Sequence, residues 1–134
     1  MLAIESKSQA ESITFLWFCG MADIAIEISA RQASDRMAAT DAPSRFLLLD
    51  CRTADEYAVA YIDGSRLIPM QELPARLAEL ESWRDKPIVV HCHHGMRSLK
   101  VAQWLREQGF SFAQSMQGGI DAWSVEIDPA VPRY

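Results

Sequence analysis

Pro87-Ile88-Val89-Val90-His91-Cys92-His93-His94-Gly95-Met96-Arg97-Ser98 passes from an apolar run, through a thiol and a glycine, into a segment of helical character. Ile88 to His91 reads as a strand covered on both faces, because the apolar residues are continuous rather than alternating. Such a strand feeds a short loop and the loop feeds a helix. Gly95 allows the backbone to curl, so that several N–H groups converge on one point. That point is the sulfur of Cys92. A helix N-terminus and a nearby cation such as Arg97 favour the thiolate, the only nucleophilic form of cysteine. Cys92 is therefore the candidate catalytic residue, and His93, His94, Gly95, Met96, Arg97 and Ser98 form the candidate substrate-binding loop around it.

Outward from this loop the chain alternates short strands and helices. Ile24 to Ile28 has strand-like alternation, and Ser29-Ala30-Arg31-Gln32 is a capping-box pattern opening a helix to about Ala39. Pro43 marks a turn. Phe46 to Asp50 is a second continuous apolar run, and Thr53-Ala54-Asp55-Glu56 a second capping box. After Gly64 the pattern predicts a short strand at Arg66 to Ile68 and a helix from about Gln71 to Glu81. A helix from Arg97 to Gln108, stopped by Gly109, and a last strand at Ala113 to Met116 complete the series. Strands alternating with helices imply an α/β fold: a parallel sheet with helices on both faces and ligands bound beyond the carboxyl ends of the strands. Cys92 lies at such an end. The tail Asp128 to Pro132 is too proline-rich for regular structure.

Three ordered motifs carry a resemblance. Cys92, four intervening residues, Arg97 and Ser98 resemble the active-site loop of rhodanese-like sulfurtransferases. Asp50-Cys51-Arg52-Thr53-Ala54-Asp55-Glu56-Tyr57 is similar to that family's Asp-x-Arg-x-x-x-Glu-Tyr signature, and Gly118-Gly119-Ile120-Asp121-Ala122-Trp123 to its Gly-Gly-x-x-x-Trp ending. One segment departs: Ala60-Tyr61-Ile62 stands where the family usually has Gly-His-Ile. The resemblance covers about residues 24 to 123 and implies a single rhodanese-like domain with an about five-stranded sheet. It implies an enzyme that carries sulfane sulfur as a Cys92 persulfide, from thiosulfate or a persulfide donor to a thiol, sulfur-carrier or cyanide acceptor, with no cofactor and no metal. The ending Val131-Pro132-Arg133-Tyr134 is further similar to rhodanese domains fused behind activating enzymes of ubiquitin-like proteins, which implies a sulfur relay for cofactor or tRNA thiolation.

Composition bounds the rest. The 134 residues suit one domain, and 49% hydrophobic content supplies a core without disulfide staples. Three widely spaced cysteines, Cys19, Cys51 and Cys92, suit a reducing compartment, so a cytoplasmic protein is expected. Net charge is −5, which disfavours nucleic acid and anionic membrane as partners. The run Ile13 to Cys19 is too short to span a bilayer and lacks a positive leader. Residues 1–20 are read as a poorly ordered extension, with the domain occupying 21–134.

Competing chemistries are weighed on the same residues. Cysteine phosphatases and arsenate reductases of related architecture use a loop one residue longer, since a tetrahedral oxyanion needs a wider ring of amides. The shorter loop suits a single sulfur. A non-catalytic interaction module is the other alternative. His91, His93 and His94 flank Cys92, but adjacent ligands on a tight loop do not converge on one tetrahedral zinc. Protonated or donor imidazoles at His93 and His94 would instead lower the Cys92 pKa and, with Met96, shape the pocket mouth. Arg97 is assigned to substrate. Asp50 and Arg52 are read as a supporting ion pair that shapes the site. Ser98 either hydrogen-bonds the thiolate or caps the following helix. Cys51, Val101, Trp104, Leu105 and Trp123 are expected in the core.

Overall fold

A computed structural model describes residues 24–39 and 46–134. The expected extension at 1–20 and the Pro43 turn lie outside the described residues. Strand β1 (Glu27–Ile28) leads to helix α1 (Ala30–Ala39), strand β2 (Leu47–Asp50), helix α2 (Ala54–Val59) and strand β3 (Arg66–Leu67). A helical passage from Met70 to Trp83 precedes strand β4 (Ile88–His91). Helix α4 (Met96–Glu107), strand β5 (Ala113–Met116) and helix α5 (Gly119–Glu126) follow, with α3 (Leu73–Arg76) the α-helical part of the passage.

Both capping boxes form. The Gln32 amide donates to Ser29 Oγ at 3.0 Å while the Ser29 amide donates to Gln32 Oε1 at 2.8 Å. Thr53 and Glu56 exchange the same pair of bonds at the start of α2. Two expectations change. The strand from Ile24 shrinks to Glu27–Ile28, because the Ala25 carbonyl accepts from the side chains of Arg106 and Gln114 instead of from a ladder. The helix from Gln71 to Glu81 becomes a 3-10 turn, the short α3 with Pro74 in its first turn, and a second 3-10 stretch at Leu77–Trp83. Its apolar residues Leu77, Leu80 and Trp83 recur every third position, which a three-fold helix stacks on one side and a 3.6-fold helix would fan out.

Among the described residues the five strands form one parallel sheet in the order β1-β5-β4-β2-β3. Strand β4 is central, which is why it shows no polar face. Alternate residues divide between two cores. Leu47, Leu49, Ile88 and Val90 meet Leu73, Leu80, Trp83 and the α4 residues Val101 and Leu105 on one side. Leu48, Val89 and Met116 meet Ala33 of α1 and Ile120 and Trp123 of α5 on the other. Trp104 packs partly buried against the first core. Where the sequence departs from Gly-His-Ile, Ala60 and Ile62 are buried in the second core, and Tyr61 turns outward to stack on Tyr57 at 5.0 Å.

The carboxyl ends of β2 and β4 place Asp50, Arg52 and His91 side by side in the interior. Arg52 Nη2 lies 2.6 Å from Asp50 Oδ2, and His91 Nε2 lies 3.8 Å from the same oxygen. Burial pushes the His91 pKa down to about 4, against the pull of the Asp50 charge, so its imidazole is neutral at physiological pH. Because the folded-state value is depressed, the contribution of His91 to stability is intact above the ordinary histidine value and is lost as pH falls from about 6.5 toward 4. Unfolding free energy from urea titrations should therefore fall by on the order of 3 kcal/mol over that window on account of His91. His91→Leu should flatten that part of the curve; an unchanged slope in the variant would refute the assignment.

Candidate active site

Cys92 follows the last residue of β4, and its loop closes at Gly95, which has φ 107° and caps α4. Only glycine adopts that conformation without strain. The curl turns the Gly95 amide onto Cys92 Sγ at 3.1 Å and the Ser98 amide at 3.3 Å. The Ser98 hydroxyl lies 3.5 Å from the sulfur and 2.7 Å from the hydroxyl of Ser115 on β5. Either hydroxyl of that pair can donate. When Cys92 is a thiol it donates to Ser98; when it is a thiolate, Ser115 can donate to Ser98 and Ser98 to sulfur. The same atoms then satisfy both states by rotation alone.

Cys92 is 1% exposed, and its burial pushes the thiol pKa up. The Ser98 hydroxyl and the amides of Ser98, Gly95 and Arg97 together outweigh that penalty, and the net shift is downward. Cys51, one residue beyond β2, has no such cradle. Burial drives its thiol pKa up, and the charges of Cys92 and Asp50 add to the rise. Of the two buried thiols among the described residues, one has its ionisation favoured by its surroundings and the other has it opposed.

The loop is buttressed from behind by α5. The Ile120 amide donates to the Cys92 carbonyl at 2.8 Å and the Asp121 amide to the His93 carbonyl at 3.1 Å. Gly119, at φ 61°, makes this approach, and a Cβ there would collide with both carbonyl oxygens. Gly118-Gly119 thus does more than turn the chain: it lets a helix start against the loop.

A charged chain closes the other side. Arg97 Nη1 and Nη2 donate to Glu56 Oε1 and Oε2 at 2.8 and 2.9 Å. The anion that a cation in the first turn of a helix calls for is therefore supplied by the protein itself. These bonds hold the Glu56 carboxyl well below the usual carboxylate range and keep Arg97 firmly protonated. Arg52 is wholly buried; it grips Asp50 through Nε at 2.9 Å and Nη2 at 2.6 Å, and donates to the Ala60 carbonyl at 2.7 Å. Its Nη1 donates to the phenol of Tyr134 at 2.8 Å, and that phenol donates to Glu56 Oε2 at 2.7 Å.

The expected site residues gather around one sulfur, but their roles divide. Gly95 and Ser98 touch Cys92 directly. His93 stacks on Tyr134, with ring centroids 3.9 Å apart and planes at 7°, and on His94 at 3.9 Å. Burial and then the neighbouring His94 lower the His93 pKa, which disfavours the imidazolium expected to assist the thiolate. Met96 is 76% exposed at the rim. Asp50 and Arg52 sit one layer beneath. Sequence reasoning missed Ser115 and Tyr134, and gave Glu56 its cap at Thr53 but not its bonds to Arg97 and Tyr134. A lone serine inside the buried strand Ala113–Met116 was the available signal for the first; nothing local pointed to the others. Among the described residues no group of three or more His, Cys, Asp or Glu side chains could hold a metal ion. Nor is any helix among them long and apolar enough to cross a membrane.

Known proteins resemble this chain in sequence and in fold. The chain is 40% identical over 93 residues to the maize (Zea mays) adenylyltransferase and sulfurtransferase MOCS3-1, an alignment covering 66% of this chain and 20% of that protein. A sulfurtransferase of Allochromatium vinosum is 34% identical over 98 residues, covering 73% of this chain and 87% of its own. The human single-domain sulfurtransferase TSTD1 superposes with a TM-score of 0.64 at 27% identity, covering 77% of this chain and 98% of that structure. The chain spans about a fifth to a third of the length of the longer relatives it matches. The rhodanese-like domain profile matches residues 29–126, over strands β2 to β5, the cysteine loop and the helix that buttresses it, and the chain belongs to the rhodanese-like domain family.

Proposed function

We propose that the protein carries sulfane sulfur as a persulfide of Cys92. The thiolate attacks the outer sulfur of thiosulfate or of a persulfide, the S–S bond of the donor breaks, and sulfite or a thiolate leaves with the electron pair. The outer sulfur of the Cys92 persulfide is then attacked by cyanide or an acceptor thiol, which takes the sulfur and returns Cys92 to the thiolate. The observation that carries this reading is a thiolate-favouring sulfur held by the Gly95 and Ser98 amides in a loop of four residues between cysteine and arginine. The negative charge of the persulfide develops in the same cradle, so donors placed for one state serve the other. His93, His94 and Met96 border the approach to the sulfur, while Arg97, tethered to Glu56, presents positive charge to an anionic donor.

The acceptor fits the class of a small thiol or a thiol-bearing sulfur carrier. The similarity to the maize adenylyltransferase and sulfurtransferase, together with the Val131-Pro132-Arg133-Tyr134 ending, supports a relay that feeds sulfur to an activated carrier. Free Cys51 and Cys92 suit a reducing, cytoplasmic setting.

Intact mass after incubation with thiosulfate should show a gain of one sulfur that disappears with cyanide and is absent in Cys92→Ser. No gain from thiosulfate or from a persulfide donor would refute the proposal. Alkylation of Cys92 by iodoacetamide, followed against pH, reports its ionisation. The downward shift enlarges the thiolate fraction at any given pH, and Ser98→Ala should move the curve toward higher pH. Gly119→Ala should lower kcat/KM for sulfur transfer on the order of 100-fold through displacement of the Cys92 and His93 carbonyls. Wild-type kinetics in that variant would show the helix contact to be dispensable.

A further inference from the structure

The Tyr134 side chain is held more firmly than its place in the tail would suggest. Tails beyond the last helix ordinarily fray, and 41% of Tyr134 is exposed. Yet the segment that brings it back is tied at successive points. The Ser124 hydroxyl donates to the carbonyl of buried Val131 at 2.8 Å, and Arg133 forks onto Asp121 at 2.8 and 3.1 Å. Asp121 is the residue whose amide holds the His93 carbonyl, so the tail is latched to the helix that buttresses the cysteine loop.

The phenol then reaches both halves of that loop. Its ring lies flat on His93, in the half between Cys92 and Gly95. Its hydroxyl takes a hydrogen bond from Arg52 and gives one to Glu56, whose carboxylate grips Arg97 in the half after Gly95. Burial pushes the phenol pKa up to about 12, so the hydroxyl keeps its proton throughout the physiological range. Three titratable or charged groups face it, namely Arg52, Glu56 and His93, and burial holds the His93 pKa below the ordinary histidine value.

We propose that Tyr134 is a positioning residue of the sulfur-transfer site: its ring fixes the Cys92–Gly95 half of the loop through His93, and its hydroxyl fixes Arg97 through Glu56. The inference rests on the sulfur-transfer reading for its kinetic consequences. The two actions are separable, because phenylalanine keeps the ring and loses both hydrogen bonds, whereas leucine loses everything.

The test uses the full chain as wild type, Tyr134→Phe and Tyr134→Leu. Proton–carbon NMR of the imidazoles reads the stack directly, since a ring 3.9 Å away displaces the His93 signals by its ring current. That displacement should persist in Tyr134→Phe and vanish in Tyr134→Leu. Steady-state transfer should show Tyr134→Phe raising KM for thiosulfate by roughly fivefold at nearly unchanged kcat, the loss of one hydrogen bond acting through Arg97. Tyr134→Leu should in addition lower kcat by roughly tenfold and alter the pH curve of Cys92 alkylation. Wild-type KM, kcat and alkylation in Tyr134→Leu would overturn the proposal. Equal effects in the two variants, in step with a drop in melting temperature, would also overturn it by reducing Tyr134 to a structural plug. If wild type takes up no sulfur but Tyr134→Leu still shifts the alkylation curve, the sulfur-transfer reading fails and the positioning role stands.

Discussion

A guanidinium withdrawn from water must have its charge and all five N–H groups met by protein, or the fold that buries it does not form. Arg52 meets this condition in full. Nε and Nη2 take the two oxygens of Asp50, Nη2 also takes the Ala60 carbonyl, and Nη1 takes the Glu56 carbonyl and the Tyr134 phenol. These bonds fasten the end of β2, both turns of α2 and the tail to one another. Everything at the mouth of the site is built on that knot. Glu56 is placed by its own helix cap and by the phenol, and it in turn places Arg97. The pair is strong evidence for a specified geometry rather than for net stability, since buried ion pairs often do no more than balance their desolvation.

Against that rigid layer the protein sets a sulfur whose ionisation is finely balanced. Cys51 and Cys92 follow adjacent parallel strands and share one core, yet their thiols are driven in opposite directions. The difference lies in directed donors. Both are desolvated, but only Cys92 is met by amides that the Gly95 turn has freed and by a serine hydroxyl relayed from β5. A low-dielectric surrounding magnifies those dipoles as it magnifies the penalty, so the site gains reactivity from the same burial that silences its neighbour.

The tail adds a third element. A proline-rich segment without regular structure returns over the carboxyl edge of the sheet, where parallel α/β folds leave their ligand crevice. Stacked imidazoles at His93 and His94 and the Tyr134 ring form a continuous aromatic wall there, and exposed Met96 stands at the rim. Such a rim offers polarizable surface to a soft ligand approaching Cys92, and the sulfur beneath it is screened from water.

Local signals carried far in this chain. Continuous apolar runs marked the buried strands, Ser29 with Gln32 and Thr53 with Glu56 marked helix starts, and Gly95 and Gly109 marked the ends of α4. Each depends on residues a few positions apart, for which backbone geometry leaves little choice. The cysteine loop was legible for the same reason, because its amides and its sulfur lie within seven consecutive residues. The passage from Gln71 to Glu81 was not, since apolar residues at three-residue spacing also fit one broad face of an α-helix. What the sequence by itself determined was the succession of strands and helices along the chain and the cradle that converges on Cys92. What only the tertiary structure decided was which groups answer the charges around it. Arg97 meets Glu56 across 41 positions, Ser98 meets Ser115 across 17 and Arg52 meets Tyr134 across 82. Partners so distant are chosen by how strands and helices stack in space, and no local propensity records that choice.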